Sequence, residues 1–168
     1  MFFWFCVLSI VGTALIFRSP FLDYRLVALG SLLPAVETTL GFKWLLHTLI
    51  FGVAVLVMVM LLGKGRRKIQ RKFLPVPIGL LSHLVLDATW TEKEIFWWPF
   101  TGREILGNRV SRLEFSLPVV VTLELLAIII ALWAWRKFDF RNSSNRSAFI
   151  KYGHLYSCLL YTSDAADE

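Results

Sequence analysis

Four stretches of nearly unbroken apolar sequence, at about 2–17, 44–63, 73–89 and 115–135, alternate with short segments that gather the charges. Each is roughly 16–21 residues long, the length that carries a helix across a hydrocarbon core of about 30 Å. The first ends at Arg18-Ser19-Pro20 and has neither a basic leader nor a small-x-small cleavage site, so it reads as a membrane helix rather than a signal peptide. The second, WLLHTLIFGVAVLVMVMLLG, is interrupted by one polar residue of weight, His47. The third holds Pro75, Pro77, Ser82, His83 and Asp87; the fourth holds Glu124 and closes at Arg136-Lys137. Between the first two, Asp23, Arg25, Glu37 and Lys43 surround LVALGSLLPAV, a run too short to span that contains Gly30 and Pro34. A half-helix, re-entrant or interfacial, is expected near 24–36. The polar, Asn/Ser-rich stretch after Phe138 is expected to fray. The pattern therefore predicts an all-α integral membrane protein, a bundle of about four transmembrane helices with one short re-entrant segment.

Composition agrees. The 168 residues are 57% hydrophobic and 18% charged, with 14 Phe and 7 Trp, a balance rare in water-soluble domains. The final CLLYTSDAADE, residues 158–168, resembles the translation of a sequencing adapter, so a single membrane domain is expected over 1–157. Without that tail Cys6 is alone, and no cysteine metal site is expected. The net charge of +6 reads as topology and not as affinity for nucleic acid, because the basic residues cluster at helix ends. Six of them lie between Lys64 and Lys72. With four spans, that loop, the end of the fourth span and the N-terminus all fall on the cytoplasmic side. The aromatic run Ile95–Phe100 reads as an interfacial belt, or as a ledge for substrate at a cavity mouth.

Ionisable residues at membrane depth are costly and usually face a bundle interior or a wet cavity. His47 lies about 5 Å into the second span from its outer side at 1.5 Å per residue. His83 and Asp87, four apart, share a helix face near the outer end of the third. Glu37 precedes the second span. One leaflet thus receives two imidazoles and two carboxylates. That set suits a divalent cation, zinc first and manganese second, with Glu37 as ligand or general base. Asp23 and Glu124 are additional candidates. The same spacing equally suits a His–Asp pair that merely satisfies itself within the core.

The order GSLLPAVETTLG, LLHTL, GLLSHLVLD and EIFWWPF resembles the membrane-bound metal-dependent hydrolases of the LexA-regulated type, a bacterial family, over roughly residues 21–135. In that family a Leu-Pro-Asp-x-Asp segment precedes a helix with His-Thr or His-Ser; a Ser-His-x-x-x-Asp helix and a Trp-Pro-Phe loop follow. The resemblance implies His47, His83 and Asp87 as metal ligands and sets Glu37 at the second acid. Ala35 stands where the first acid would be, which implies a reduced ligand set, a substitute such as Asp23, or no metal. The expected function is a metal-dependent hydrolase at the outer leaflet, acting on a lipid-linked or phosphoester substrate that arrives through the bilayer. A non-catalytic membrane scaffold is the first alternative. A small transporter relaying ions through His83 and Glu124 is the second.

Overall fold

The computed structural model describes residues 1–39, 45–100 and 116–155, and every regular element among them is helical. The helices are α1 (Phe2–Phe17), α2 (Tyr24–Thr39), α3 (Leu49–Leu62), α4 (Arg67–Phe73), α5 (Pro75–Leu86), α6 (Lys93–Phe96), α7 (Leu117–Lys137) and α8 (Ser143–Tyr152), with 3₁₀ turns at Leu45–His47 and Thr89–Thr91. The first apolar stretch forms α1, and α3, α5 and α7 form within or beside the other three with shifted bounds; position 44 and residues 101–115 lie outside the described residues, as does the adapter-like 158–168.

Two expectations about the elements themselves are corrected. Tyr24–Thr39 forms one continuous helix of 16 residues, not a half-helix. Gly30 and Pro34, the presumed breakers, are both buried within it. A Cβ on Gly30 would run into the carbonyl oxygen of Val76, and one on Gly79 into that of Val27. These glycines let the backbones of α2 and α5 touch, as small residues do where helices associate tightly. The stretch after Phe138 also does not fray. Asn142 caps α8 through its side chain, accepting from the Ser144 amide at 3.0 Å, and Gly153 ends the helix at φ 73°.

Five helices run in alternating directions. Phe5, early in α1, stacks on His83, late in α5, with ring centroids 4.1 Å apart. Phe21, just beyond α1, lies under the Arg71 guanidinium, 5.2 Å away, just before α5. The serine hydroxyls of Ser9 and Ser31 meet at 3.0 Å between α1 and α2. Entry to α3 is beside His83, since the His47 ring is 5.5 Å from it. The N-terminal amine pairs with Glu124 at 3.3 Å, while Val11 and Ala14 share a core cluster with Ala134 and Phe138, so α1 and α7 run parallel. The N-terminus and the 64–72 connection consequently stand at opposite ends of the bundle. The expectation that both face one side is corrected, because the added stroke of α2 reverses α1.

One of these helices, α7, is long and apolar enough by itself to cross a membrane; α1 and α3 are apolar but shorter. A 16-residue helix reaches only about 24 Å. The outer surface is nonetheless strongly apolar. Only 11% of the most hydrophobic window of α7 is buried, and Val53, Val57, Met58, Leu61 and Leu62 of α3 are exposed. An apolar surface this extensive marks contact with something other than water.

At the basic end, α8 is docked onto the start of α2. The Tyr24 amide donates to the Gly153 carbonyl at 2.9 Å, and Arg25 donates to the Ile150 carbonyl at 2.6 Å. Asp23 holds Arg25 in place through two hydrogen bonds of 3.0 and 2.8 Å. Partial burial pushes the Asp23 carboxyl up, but the hydrogen bonds and charge of Arg25, helped by the Leu26 amide, outweigh it and hold it below the usual carboxylate range. A depressed carboxylate stabilises the fold above its unfolded pKa, and that contribution is lost as pH falls through the folded value. The protection factors of the α8 amides against hydrogen exchange should therefore fall below about pH 4. Asp23→Asn should show the lower protection already at pH 7, at a cost of no more than about 1 kcal/mol because the pair is largely solvated.

The helix contact yields a second expectation. Gly79→Ala should destabilise the detergent-solubilised protein by about 1–3 kcal/mol, through forced separation of α2 and α5. Gly12→Ala, where a Cβ meets nothing within 4 Å, should be neutral or mildly stabilising in the same thermal melt.

Candidate metal centre

The parallel contact of α2 and α5 sets the level of everything at the other end. With Gly30 against Val76 and Gly79 against Val27, the last turn of α2 reaches the last turn of α5. Glu37 and Thr38 arrive from α2, and His83 and Asp87 from α5. His47 arrives from the 3₁₀ turn that leads into α3, where Thr48 then caps the helix by accepting from the Phe51 amide at 3.2 Å.

Ligand atoms of His47, His83 and Asp87 all lie within 4.8 Å of one another, and all three residues are buried. This group could hold a metal ion. Around a tetrahedral ion with bonds of 2.0–2.1 Å, ligand atoms stand about 3.3 Å apart, so small side-chain rotations would close the set. Two imidazoles and one carboxylate match the donor chemistry of a three-ligand zinc site and do not single out zinc from other divalent ions.

Glu37 lies outside that group. Its Oε2 is 2.8 Å from His47 Nδ1, with both side chains buried. A carboxylate only accepts, so Nδ1 carries the proton and Nε2 is the nitrogen left for a metal. Thr38 Oγ1 is 3.3 Å from that Nε2 and 3.2 Å from the Pro34 carbonyl. Its single proton can serve either acceptor, so Thr38 can give up the imidazole without losing a partner. At the opposite side of the group, Thr89 Oγ1 donates to Asp87 Oδ2 at 3.2 Å. The Asp87 amide ends α5 on the His83 carbonyl at 2.8 Å, which ties the two ligands to one rigid turn.

The structure therefore brings together His47, His83 and Asp87 with Glu37 alongside. Asp23 and Glu124 it does not bring in. Asp23 sits at the far end of the bundle on Arg25, and Glu124 pairs with the N-terminal amine. Asp23 is therefore too far away to join the group, and Ala35 is buried in α2. His154 is beside Tyr152 at the basic end. Three contributors were not foreseen: Phe5 on the His83 ring, Thr38 and Thr89. Thr38 and Thr89 are detectable in principle, since each adjoins an acid of the site by one or two positions. Phe5 carries no such signal.

Comparison with known proteins adds no relative. The chain matches no protein-family model, no curated protein and no solved structure.

The Glu37–His47 bond makes an expectation independent of any reaction. Glu37→Gln can turn its amide nitrogen toward Nδ1 and release the imidazole from its set tautomer. Metal affinity, measured by competition with a chromogenic chelator, should fall about 10–100-fold while the helical spectrum is unchanged.

Proposed function

We propose that this chain is an integral membrane protein whose five alternating helices hold a divalent cation on His47, His83 and Asp87, and that it is a metal-dependent hydrolase. The observation that carries the reading is the convergence of those three buried groups from two separate segments, within 4.8 Å of one another. The membrane assignment is supported by the apolar surfaces of α3 and α7 and by the distribution of charge. Arg18, Arg25, the 64–72 connection, Arg136, Lys137 and α8 all stand at the end away from the centre. By the positive-inside tendency that end is cytoplasmic. The centre then faces the outer leaflet, and the N-terminus lies on the outer side with it.

A zinc ion bound there would polarise a phosphoryl or carbonyl oxygen and lower the pKa of a coordinated water toward neutrality. The chain's own part is to prepare that position. Glu37 fixes the tautomer of His47, acting as a positioning residue and not as the base. Phe5 covers the His83 ring and keeps bulk water from it. Trp97 and Phe100, both exposed, flank the same end and offer an apolar ledge at headgroup level. A substrate with an acyl or polyprenyl portion and a phosphoester head would meet both features on arriving laterally through the bilayer.

A second reading has one observation in its favour. His47, His83 and Asp87 are all buried, and Glu37 already satisfies His47, so the group can act as a polar tie between α2, α3 and α5 in a non-catalytic scaffold. Metal content by mass spectrometry separates the two. The hydrolase reading expects about one equivalent of divalent metal in the detergent-purified protein, absent from a folded His47→Ala/His83→Ala variant. Metal-dependent turnover should follow on a phospholipid and phosphoester panel. A protein that takes up no metal after reconstitution, with the double variant merely less stable, establishes the tie instead.

A further inference from the structure

A cavity that none of the metal-centre residues lines runs among α1, α7 and α8, from Phe3 and Cys6 to Phe140 and Arg146. It holds about 430 Å³, within the range of small-ligand pockets. Its walls are apolar side chains of three helices, including Val7 and Ile10 of α1, Ala131 and Trp135 of α7, and Phe149 of α8. One charged residue lines it, Arg146 of α8. Among the described residues no carboxylate pairs with that guanidinium. The surrounding segment from Arg136 to Tyr152 carries Arg136, Lys137, Arg141, Arg146 and Lys151 against a single acid, Asp139.

An occupant must therefore be apolar along most of its length and anionic at one end. A free anion has no use for the walls, and a neutral lipid has no use for the arginine. We propose that this cavity is a binding site for one anionic phospholipid, its acyl chain between α1 and α7 and its headgroup phosphate on Arg146. The reasoning is charge complementarity. Arg146 belongs to the end of the bundle with the excess of basic residues, where the anionic lipids of a cytoplasmic leaflet lie. Arg suits this task because its planar fork binds phosphate oxygens two at a time. The docking of α8 by Asp23 and Arg25 builds the third wall, so the lipid would also staple α8 to α7.

The site rests on the membrane assignment made above but not on the metal centre. Sedimentation of the full-length protein with carbonate-washed membranes tests the first separately. The test of the site is native mass spectrometry of the full chain from detergent mixed with equal phosphatidylglycerol and diacylglycerol. One phosphatidylglycerol per chain should be retained, in about tenfold preference over the phosphate-free diacylglycerol, as expected for a contribution of one charge-assisted phosphate contact. Arg146→Gln, a surface change, should abolish the preference and keep the chain folded. Ala131→Phe, which fills the cavity, should abolish retention of both lipids while leaving the metal content of the protein unaltered. Equal retention of the two lipids by the wild type, or unchanged retention after Ala131→Phe, overturns the site and leaves only lipid bound around the outside.

Discussion

The contact between the backbones of α2 and α5 determines the rest of the structure. Gly30 and Gly79 remove the two Cβ atoms that would hold these helices apart, and each presents its bare Cα region to a carbonyl of the other. In a hydrocarbon surrounding there is no hydrophobic gain in bringing helices together, so association relies on such close van der Waals approach. The contact also fixes direction and level. Because the helices run parallel, their C-terminal turns arrive side by side, and every polar group of the centre is a resident of those turns or of the turn that follows. An antiparallel pairing through the same glycines would have sent Glu37 toward the basic end and His83 away from it.

From that constraint follows a division of the bundle along its axis. At one end lie buried imidazoles and carboxylates, tied by bonds of 2.8 to 3.3 Å. At the other lie arginines and lysines, exposed and backed by α8. The middle is held by apolar contacts and by one serine pair, Ser9 with Ser31. Buried polar groups have to be satisfied to be tolerated, and here the partners are local: Thr89 for Asp87, Glu37 and Thr38 for His47. The packing of Phe5 on His83 couples α1 to the centre. Thus a helix that contributes no ligand still helps to set the position of one.

Much of the site was legible in the sequence. His83 and Asp87 share a face because they are four apart on a helix, and their placement needed only the 3.6-residue period. His47 followed from its position near the start of an apolar run. The character of the second segment was not legible, since Gly30 and Pro34 read locally as breakers, whereas the structure uses both at an interface. Propensity describes an isolated helix; tertiary contact overrides it. That single misreading carried the topology with it, because one additional stroke moves the N-terminus to the other side. The α8 helix was hidden for a related reason. Its sequence is polar and has low intrinsic order, and it is held by Arg25 and Tyr24, more than a hundred residues away in the chain. Glu124 could not be assigned from sequence, as its partner is the chain's first amine.

The odd number of strokes has a chemical consequence. With α1 and α7 parallel, the two helices share a long seam, and Phe138, Phe140 and α8 line the cavity beside it. The cavity exists because α7 supplies Ala131 and Ala134 there instead of large side chains. Small residues at that position are unnecessary for packing against a bilayer, and the adjacent Trp133 and Trp135 show that large ones are tolerated on the same helix. A bundle built in this way keeps His47, His83 and Asp87 at the end farthest from its cationic surface.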